Sequence, residues 1–281
     1  MTARTASAPE GADVTVRAEY GAGEMPDSRE HGPPAPADEA FAGRVALVTG
    51  ASGGIGAALS TRLAEAGATV AVHYATGRDA AERVVAEITR AGGQAASFAA
   101  DLRDAGSPER LADAVEAELG PADVLAANAG LSRPGSYEDI DAPAFDETLA
   151  INLRAPYLLA RRVLPGMRDR RFGRILFTSS VAALTGGIVG PHYASSKAGL
   201  HGLTHFLASR VAPDGVTVNA IAPALIAETG MLPGDPGELA ARIPVGRLGT
   251  PAEVADLALA VLRNGYVTNQ VLSIDGGMHP G

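Results

Sequence analysis

A tyrosine and a lysine stand four positions apart in a stretch whose pattern predicts a helix over residues 193–211. Tyr193 and Lys197 are therefore expected on one face of that helix. A tyrosine with an ordinary pKa of about 10 exchanges protons poorly at neutral pH, but a nearby ammonium group stabilises the phenolate and lowers that pKa. The pair therefore predicts a general acid–base catalyst.

Lys197 is also the only lysine in a chain with 23 basic residues. A compact ammonium group can approach a phenol and bond to sugar hydroxyls in a way that the broad guanidinium fork cannot. A position that needs an ammonium group would explain why this one lysine is kept. The alternative, a lysine left by chance on a helix surface, agrees equally well with composition alone.

A glycine-rich loop lies between the first predicted strand and the first predicted helix. Glycines let the backbone turn tightly and approach a pyrophosphate, and the helix N-terminus offers free N–H groups and a positive dipole end. The loop therefore predicts a dinucleotide site, although its glycine spacing is one residue wider than the commonest fingerprint and an ordinary turn is the alternative. The predicted cofactor-binding residues of this loop are Gly50, Ser52, Gly53, Gly54, Ile55 and Gly56.

The end of the second predicted strand indicates which nicotinamide cofactor is used. An NAD site usually has an acidic side chain there, which bonds to the ribose 2′-hydroxyl and repels a phosphate. This chain has Tyr74 and Thr76 at that point and Arg78 just beyond them. All three are predicted cofactor contacts, and the pattern favours NADP(H) over NAD(H). The alternative for Arg78 is a solvated residue near a helix start, paired with Asp79.

Alternating strands and helices predict how these residues are positioned. Such alternation is typical of an α/β fold with a single doubly wound parallel sheet, the Rossmann fold, with helices on both faces. Ser180 follows the fifth strand, at the edge where such sheets bind ligands, and is predicted to hold a substrate carbonyl oxygen. The predicted strands are 45–49, 69–74, 95–100, 124–127, 174–179, 217–221 and 271–274, and the predicted helices are 55–66, 79–91, 108–119, 145–170, 193–211 and 253–262.

Composition separates a tail from the domain and excludes several function classes. Residues 1–40, rich in Ala, Gly, Pro and acidic residues, predict a disordered tail, with a short strand at 14–16 as the alternative, and residues 41–281 predict the domain. A net charge of −9 gives no footprint for nucleic acid. We see no apolar run long enough for a membrane span and no secretory signal, and there is no cysteine for a disulfide or a thiolate metal site. A cytoplasmic protein without a metal is expected.

Residues 41–281 resemble the short-chain dehydrogenase/reductase family. The glycine loop, Tyr193 and Lys197 match its motifs, and Asp275-Gly276-Gly277 resembles its C-terminal signature. The resemblance assigns the adenine contact to Asp101 and Leu102, and it identifies Asn128, Ala129 and Gly130 as the motif that steadies the sheet beside the cofactor. It assigns the nicotinamide side to Pro223 and Ile226. It also identifies a catalytic tetrad, which consists of Asn152, Ser180, Tyr193 and Lys197.

The resemblance implies reversible hydride transfer between a nicotinamide cofactor and a ketone or secondary alcohol. In that mechanism Ser180 bonds to the carbonyl oxygen and Tyr193 donates the proton. Lys197 lowers the pKa of the tyrosine and bonds to the nicotinamide ribose. Asn152 is implied to hold a water molecule that links Lys197 to solvent.

Within the family the closest resemblance is to 3-oxoacyl-acyl-carrier-protein reductases, which act in fatty acid biosynthesis. This implies a 3-oxoacyl thioester substrate, an acyl carrier protein docked near Arg168 and Arg171, and a homotetramer or homodimer paired through the two long helices. Asp214, where such reductases often have a basic residue, and Ala224 and an added Ala227 near the substrate loop depart from the pattern. The alternatives are an enzyme acting on a polyketide, sugar or other small alcohol or ketone, and a non-catalytic cofactor-binding sensor.

Overall fold

A parallel sheet of seven strands forms the centre of the computed structural model, which describes residues 40–230, 232 and 234–279. The strand order is β3-β2-β1-β4-β5-β6-β7, and every neighbouring pair runs parallel. The order reverses between β1 and β4, so the predicted doubly wound fold is confirmed. The strands are β1 (Val45–Val48), β2 (Thr69–Tyr74), β3 (Gln94–Ala99), β4 (Ala122–Ala127), β5 (Gly173–Thr178), β6 (Val216–Pro223) and β7 (Val271–Ile274).

Helices cover both faces of this sheet, because successive strand side chains point to opposite faces and both sets are apolar. In β1, Ala46 and Val48 belong to one buried cluster and Leu47 belongs to the other. The first cluster includes side chains of α1, α2 and α9, and the second includes side chains of α3, α5 and α7. The helices are α1 (Gly54–Glu65), α2 (Arg78–Arg90), α3 (Ser107–Leu119), α4 (Ala142–Leu149), α5 (Ala155–Asp169), α6 (Ala182–Thr185), α7 (Pro191–Val211), α8 (Pro236–Ala240) and α9 (Pro251–Arg263).

The predicted helix 145–170 is wrong as a single element. A π-helical turn, Ala150–Arg154, separates α4 from α5, and the N–H of Ala155 donates to the carbonyl of Ala150. Pro156 has no N–H to give to the carbonyl of residue 152, as a continuous α-helix would require, and the turn widens at this point. Such turns are frequent at functional sites, and this one contains Asn152.

Smaller differences concern element ends and short helices. The helix predicted at 193 begins two residues earlier, at Pro191, and β6 extends beyond the predicted end to Pro223. The short helices α6 and α8 were not predicted. Residues 1–39, which are all but the last residue of the predicted tail and include the alternative strand at 14–16, lie outside the described residues, so the boundary near residue 40 stays a prediction. In the described part of the chain, no helix has the length and apolarity needed to cross a bilayer.

Candidate active site

A cleft of about 500 Å³ opens at the carboxyl ends of β1, β4, β5 and β6. This is the edge at which doubly wound sheets bind ligands. The structure brings most of the predicted site residues to its wall: Gly50, Ser52, Gly53, Gly54, Ile55, Asn128, Ala129, Gly130, Ser180, Tyr193, Lys197, Pro223 and Ile226. The remaining predicted residues, which do not line this cleft, are Gly56, Tyr74, Thr76, Arg78, Asp101, Leu102 and Asn152.

The glycine loop is shaped by close backbone packing. Gly50 has a positive φ of 63°, and a Cβ atom on it would lie 2.8 Å from the Cα atom of Ala129. A Cβ atom on Gly56 would overlap the carbonyl oxygen of Gly50 and lie 2.7 Å from Nδ2 of Asn128. Gly56 therefore lets α1 start directly against the loop, and the N-terminus of α1 at Gly54 faces the cleft.

Asn128 and Thr49 join the loops that follow β4 and β1. Nδ2 of Asn128 donates to the carbonyl oxygens of Thr49 and Gly50, at 3.1 and 3.3 Å. In return, Oγ1 of Thr49 accepts the N–H groups of Asn128 and Ala129, both at 3.0 Å. The predicted steadying role of Asn128 thus has a visible basis, whereas the side chain of Thr49 was not predicted as a site residue.

His73 is a second residue that the sequence interpretation missed. It is buried in β2, and its Nδ1 accepts the N–H of Gly50 at 3.1 Å. Its Nε2 lies 3.1 Å from the carbonyl oxygen of Ala100, which can only accept, so Nε2 carries the hydrogen. Burial lowers the pKa of His73 to about 4, and the ring is therefore neutral. A histidine inside an otherwise apolar strand was the signal available.

We expect His73→Leu to weaken dinucleotide binding about tenfold or more, because it removes two buried hydrogen bonds that hold the loops after β1 and β3. The dissociation constant, measured by quenching or transfer of nicotinamide fluorescence, checks this. His73→Asn keeps one donor and one acceptor, so its dissociation constant should fall between those of the wild type and His73→Leu. The control is His205→Leu on the exposed surface of α7, which should bind as the wild type does. Equal affinity in His73→Leu and wild type would contradict the expectation.

The region beyond β2 has a cation at a helix start. Arg78 is the first residue of α2 and is 67% exposed, and its guanidinium lies 3.5 Å from Glu82, not against Asp79. It also lies 5.8 Å above the ring of Tyr74, which is buried in the core. Ser52 approaches the same point, because its Oγ would be 3.3 Å from a Cβ atom on Gly77. This places the glycine loop beside the N-terminus of α2.

The two residues assigned to the adenine contact differ in their surroundings. Asp101 is exposed, and its carboxylate accepts hydrogen bonds from the guanidinium and the N–H of Arg103. These bonds hold the pKa of Asp101 below its usual range. Leu102 is buried in the core on the α3 side of the sheet. The structure therefore places Asp101 next to a cation and gives Leu102 a packing role.

Ser180, Tyr193 and Lys197 come together in the middle of the cleft. Ser180 follows β5, and its hydroxyl is hydrogen-bonded to Tyr193 on α7. Nζ of Lys197 donates to the carbonyl oxygen of Thr178 at 2.7 Å and lies 5.7 Å from the centre of the Tyr193 ring. Burial lowers the pKa of Lys197 to about 8. Burial also raises the pKa of Tyr193, against the hydrogen bond from Ser180, and so opposes the lowering predicted from Lys197.

Asn152 lies behind this group and is fully buried. Its Oδ1 accepts the N–H of Leu131 at 2.7 Å, and its Nδ2 donates to the carbonyl oxygen of Leu131 and to Oγ of Ser196. The side chain thus connects the segment after β4 to α7, one residue before Lys197. Its role toward a water molecule stays a prediction.

Comparison with known proteins places this site in a family. The model of the short chain dehydrogenase family matches residues 44–236. An acetoacetyl-CoA reductase of Shinella zoogloeoides is 38% identical over 83% of this chain and 98% of its own. A cis-4-hydroxycyclohexanecarboxylate dehydrogenase of Sinomonas cyclohexanicum is 38% identical over 85% of this chain and 98% of its own. A 3-oxoacyl-acyl-carrier-protein reductase of Staphylococcus aureus is 35% identical over 83% of this chain and 97% of its own. The chain therefore belongs to the short-chain dehydrogenase/reductase family and is an oxidoreductase.

Proposed function

We propose that the protein reduces a ketone to a secondary alcohol with NADPH, and that the ketone is a 3-oxoacyl thioester. The observation that carries the proposal is the meeting of Ser180, Tyr193 and Lys197 in one cleft with the glycine loop. The similarity to an acetoacetyl-CoA reductase and to a 3-oxoacyl-acyl-carrier-protein reductase supports the thioester.

The residues of this chain divide the work as follows. Ser180 and Tyr193 hold the carbonyl oxygen by hydrogen bonds, and Tyr193 gives it the proton that completes the alcohol. The ammonium group of Lys197 favours the phenolate left on Tyr193. Asn152 keeps the segment after β4 and α7 in place and, as the family resemblance implies, holds a water molecule that resupplies the proton. When bound, NADPH supplies the hydride.

The described residues fit a dinucleotide with a 2′-phosphate. The backbone at Gly53 is open to close approach, because a Cβ atom on that glycine would meet nothing within 4 Å. The N-terminus of α1 faces the cleft, and no carboxylate is among the described residues that line it. Arg78 stands at the N-terminus of α2, where both the side chain and the helix dipole favour an anion. These features support NADP(H) over NAD(H).

The arginine cluster between α5 and β5 gives little support to docking of an acidic carrier protein. Arg168 pairs with Asp214 at 2.6 Å, and Arg171 donates to the carbonyl oxygen of Pro213. The other members are also engaged, since acidic side chains pair with Arg161, Arg162 and Arg170, and backbone carbonyls accept from Arg174. The similarity to the two reductases therefore supports a thioester substrate, whereas the arginine cluster adds little support for a carrier protein. A small free alcohol or ketone is the second candidate, favoured by the similarity to the hydroxycyclohexanecarboxylate dehydrogenase.

We propose that the protein forms a homotetramer or homodimer that pairs through α5 and α7. We also propose that it is cytoplasmic. Tyr157 on α5 and Phe206 on α7 are 43% and 55% exposed, as large apolar side chains at an interface would be in the free chain. Light scattering after size-exclusion chromatography should give a mass of two or four chains. A monomer would contradict the proposed assembly.

Oxidation of NADPH and NADH with acetoacetyl-CoA and a panel of free ketones tests the function. We expect NADPH with the thioester to be the fastest pair, and Arg78→Ala to raise the KM for NADPH about tenfold with little change for NADH. Arg90→Ala, at the other end of α2, is the matched control and should keep the wild-type preference. Turnover confined to free ketones would favour the second candidate, and a preference for NADH would overturn the assignment of Arg78.

A further inference from the structure

The cleft contains a second cation that the catalytic mechanism does not use. Among the described residues that line the cleft, the charged side chains are Lys197 and Arg242, and there is no carboxylate. Lys197 is buried next to Tyr193, whereas Arg242 is exposed and lies C-terminal to α8. An arginine in this position is not part of the catalytic tetrad.

The backbone under Arg242 is firmly held. Its N–H donates to the carbonyl oxygen of Leu239 at 3.1 Å, and Leu239 and Ile243 are both buried. Gly276 packs closely on Ile243, because a Cβ atom on that glycine would lie 2.6 Å from Cγ2 of Ile243. The backbone that carries the Arg242 side chain is therefore fixed, whereas the side chain is exposed and can contact a ligand.

Arg242 forms no ion pair with any described residue. This is notable because acidic residues outnumber basic ones, 32 to 23, and most of the arginines that the structure describes pair with a carboxylate. Arg247, five positions along, is bonded to both carboxylate oxygens of Glu253 at 2.7 and 3.0 Å. A guanidinium exposed to the cleft without a carboxylate partner is available to an anionic ligand.

The cleft that Arg242 lines also has large apolar side chains. Leu232, Met278, Leu225 and Ile188 line the same cleft. Such a combination accepts a molecule with an apolar body and an anionic end, because the guanidinium can make two parallel hydrogen bonds to a carboxylate or phosphate.

We propose that Arg242 binds an anionic group of the substrate, a carboxylate or a phosphate away from the reacting ketone, and so restricts the substrate class to anionic ketones. This inference rests on the proposed function. The anion is either the carboxylate of a free keto acid or a phosphate of a coenzyme A thioester, and the two sources are distinguished by experiment.

Two matched pairs of substrates provide the test. Levulinate and its methyl ester differ in a carboxylate, and acetoacetyl-CoA and acetoacetyl-pantetheine differ in the phosphorylated adenosine part. In the pair that contains the true anion, Arg242→Gln should lower kcat/KM for the charged member about tenfold or more and for the neutral member by a much smaller factor. Arg242→Lys should recover part of the loss, and Arg90→Gln should behave as wild type.

Three results separate failure of this inference from failure of the proposed function. Equal losses on charged and neutral members, or no loss on either, would overturn the role of Arg242 while leaving the ketone reductase intact. A higher dissociation constant for NADPH in Arg242→Gln would assign the arginine to the cofactor instead. No turnover of any ketone by the wild type would overturn the proposed function itself.

Discussion

Tyr193→Phe is expected to lower kcat about 10³-fold, because the phenol is the group that exchanges a proton with the substrate oxygen. The ring keeps its place on α7, so the dissociation constant for NADPH should change by no more than about twofold. Steady-state rates at saturating NADPH and ketone measure kcat, and fluorescence titration measures the dissociation constant. A large loss in kcat without a loss of NADPH affinity is the result expected for an acid–base catalyst.

The control for this variant is Tyr266→Phe, which removes the hydroxyl of a tyrosine that is 97% exposed. It should keep wild-type rates. A Tyr193→Phe enzyme with wild-type turnover would rule out Tyr193 as the proton donor, and a wild type that binds NADPH but turns over no ketone would favour the non-catalytic sensor.

Gly56→Ala is expected to weaken cofactor binding strongly. The added methyl group would overlap the carbonyl oxygen of Gly50 and crowd Nδ2 of Asn128, and both belong to the rigid junction of β1 and β4. Either α1 moves away or the loop changes shape, at a cost of about 1–3 kcal/mol. We expect the dissociation constant for NADPH to rise at least about tenfold and the melting temperature to fall.

Gly202→Ala is the matched control, because a Cβ atom on that helical glycine meets nothing within 4 Å. It should leave NADPH binding unchanged and raise stability slightly, since alanine favours a helix more than glycine does. If Gly56→Ala bound NADPH as tightly as Gly202→Ala does, the close contact between α1 and the glycine loop would not matter for the cofactor.

Local periodicity and spacing were sufficient to predict the succession of strands and helices along the chain and many of the residues that line the cleft. The strands alternate strictly with helices, and the four-residue spacing of Tyr193 and Lys197 has meaning only on a helix, which α7 provides. These features depend on residues close in sequence. The glycine loop was predictable for the same reason, since strand, glycines and helix follow one another directly.

The features that were missed depend on contacts between distant segments. The pairing of His73 with Gly50 and Ala100 exists only after three strands lie side by side. The side chain of Asn152 contacts Leu131 and Ser196 only after the segment following β4 packs against α7. Periodicity carries no information about which loops will meet, and charge counts do not reveal that Arg168 is compensated by Asp214.

The protonation of the buried Lys197 also makes ligand binding in the cleft depend on pH. Its pKa of about 8 is set by burial alone, and no carboxylate lines the described part of the cleft to raise it. In the proposed complex a ribose hydroxyl of the dinucleotide accepts a hydrogen bond from the ammonium group of Lys197, which favours the charged form and raises that pKa. Binding near pH 8 therefore takes up protons, and affinity falls as the pH rises further. In a calorimeter, the heat of dinucleotide binding will accordingly depend on the ionisation enthalpy of the buffer.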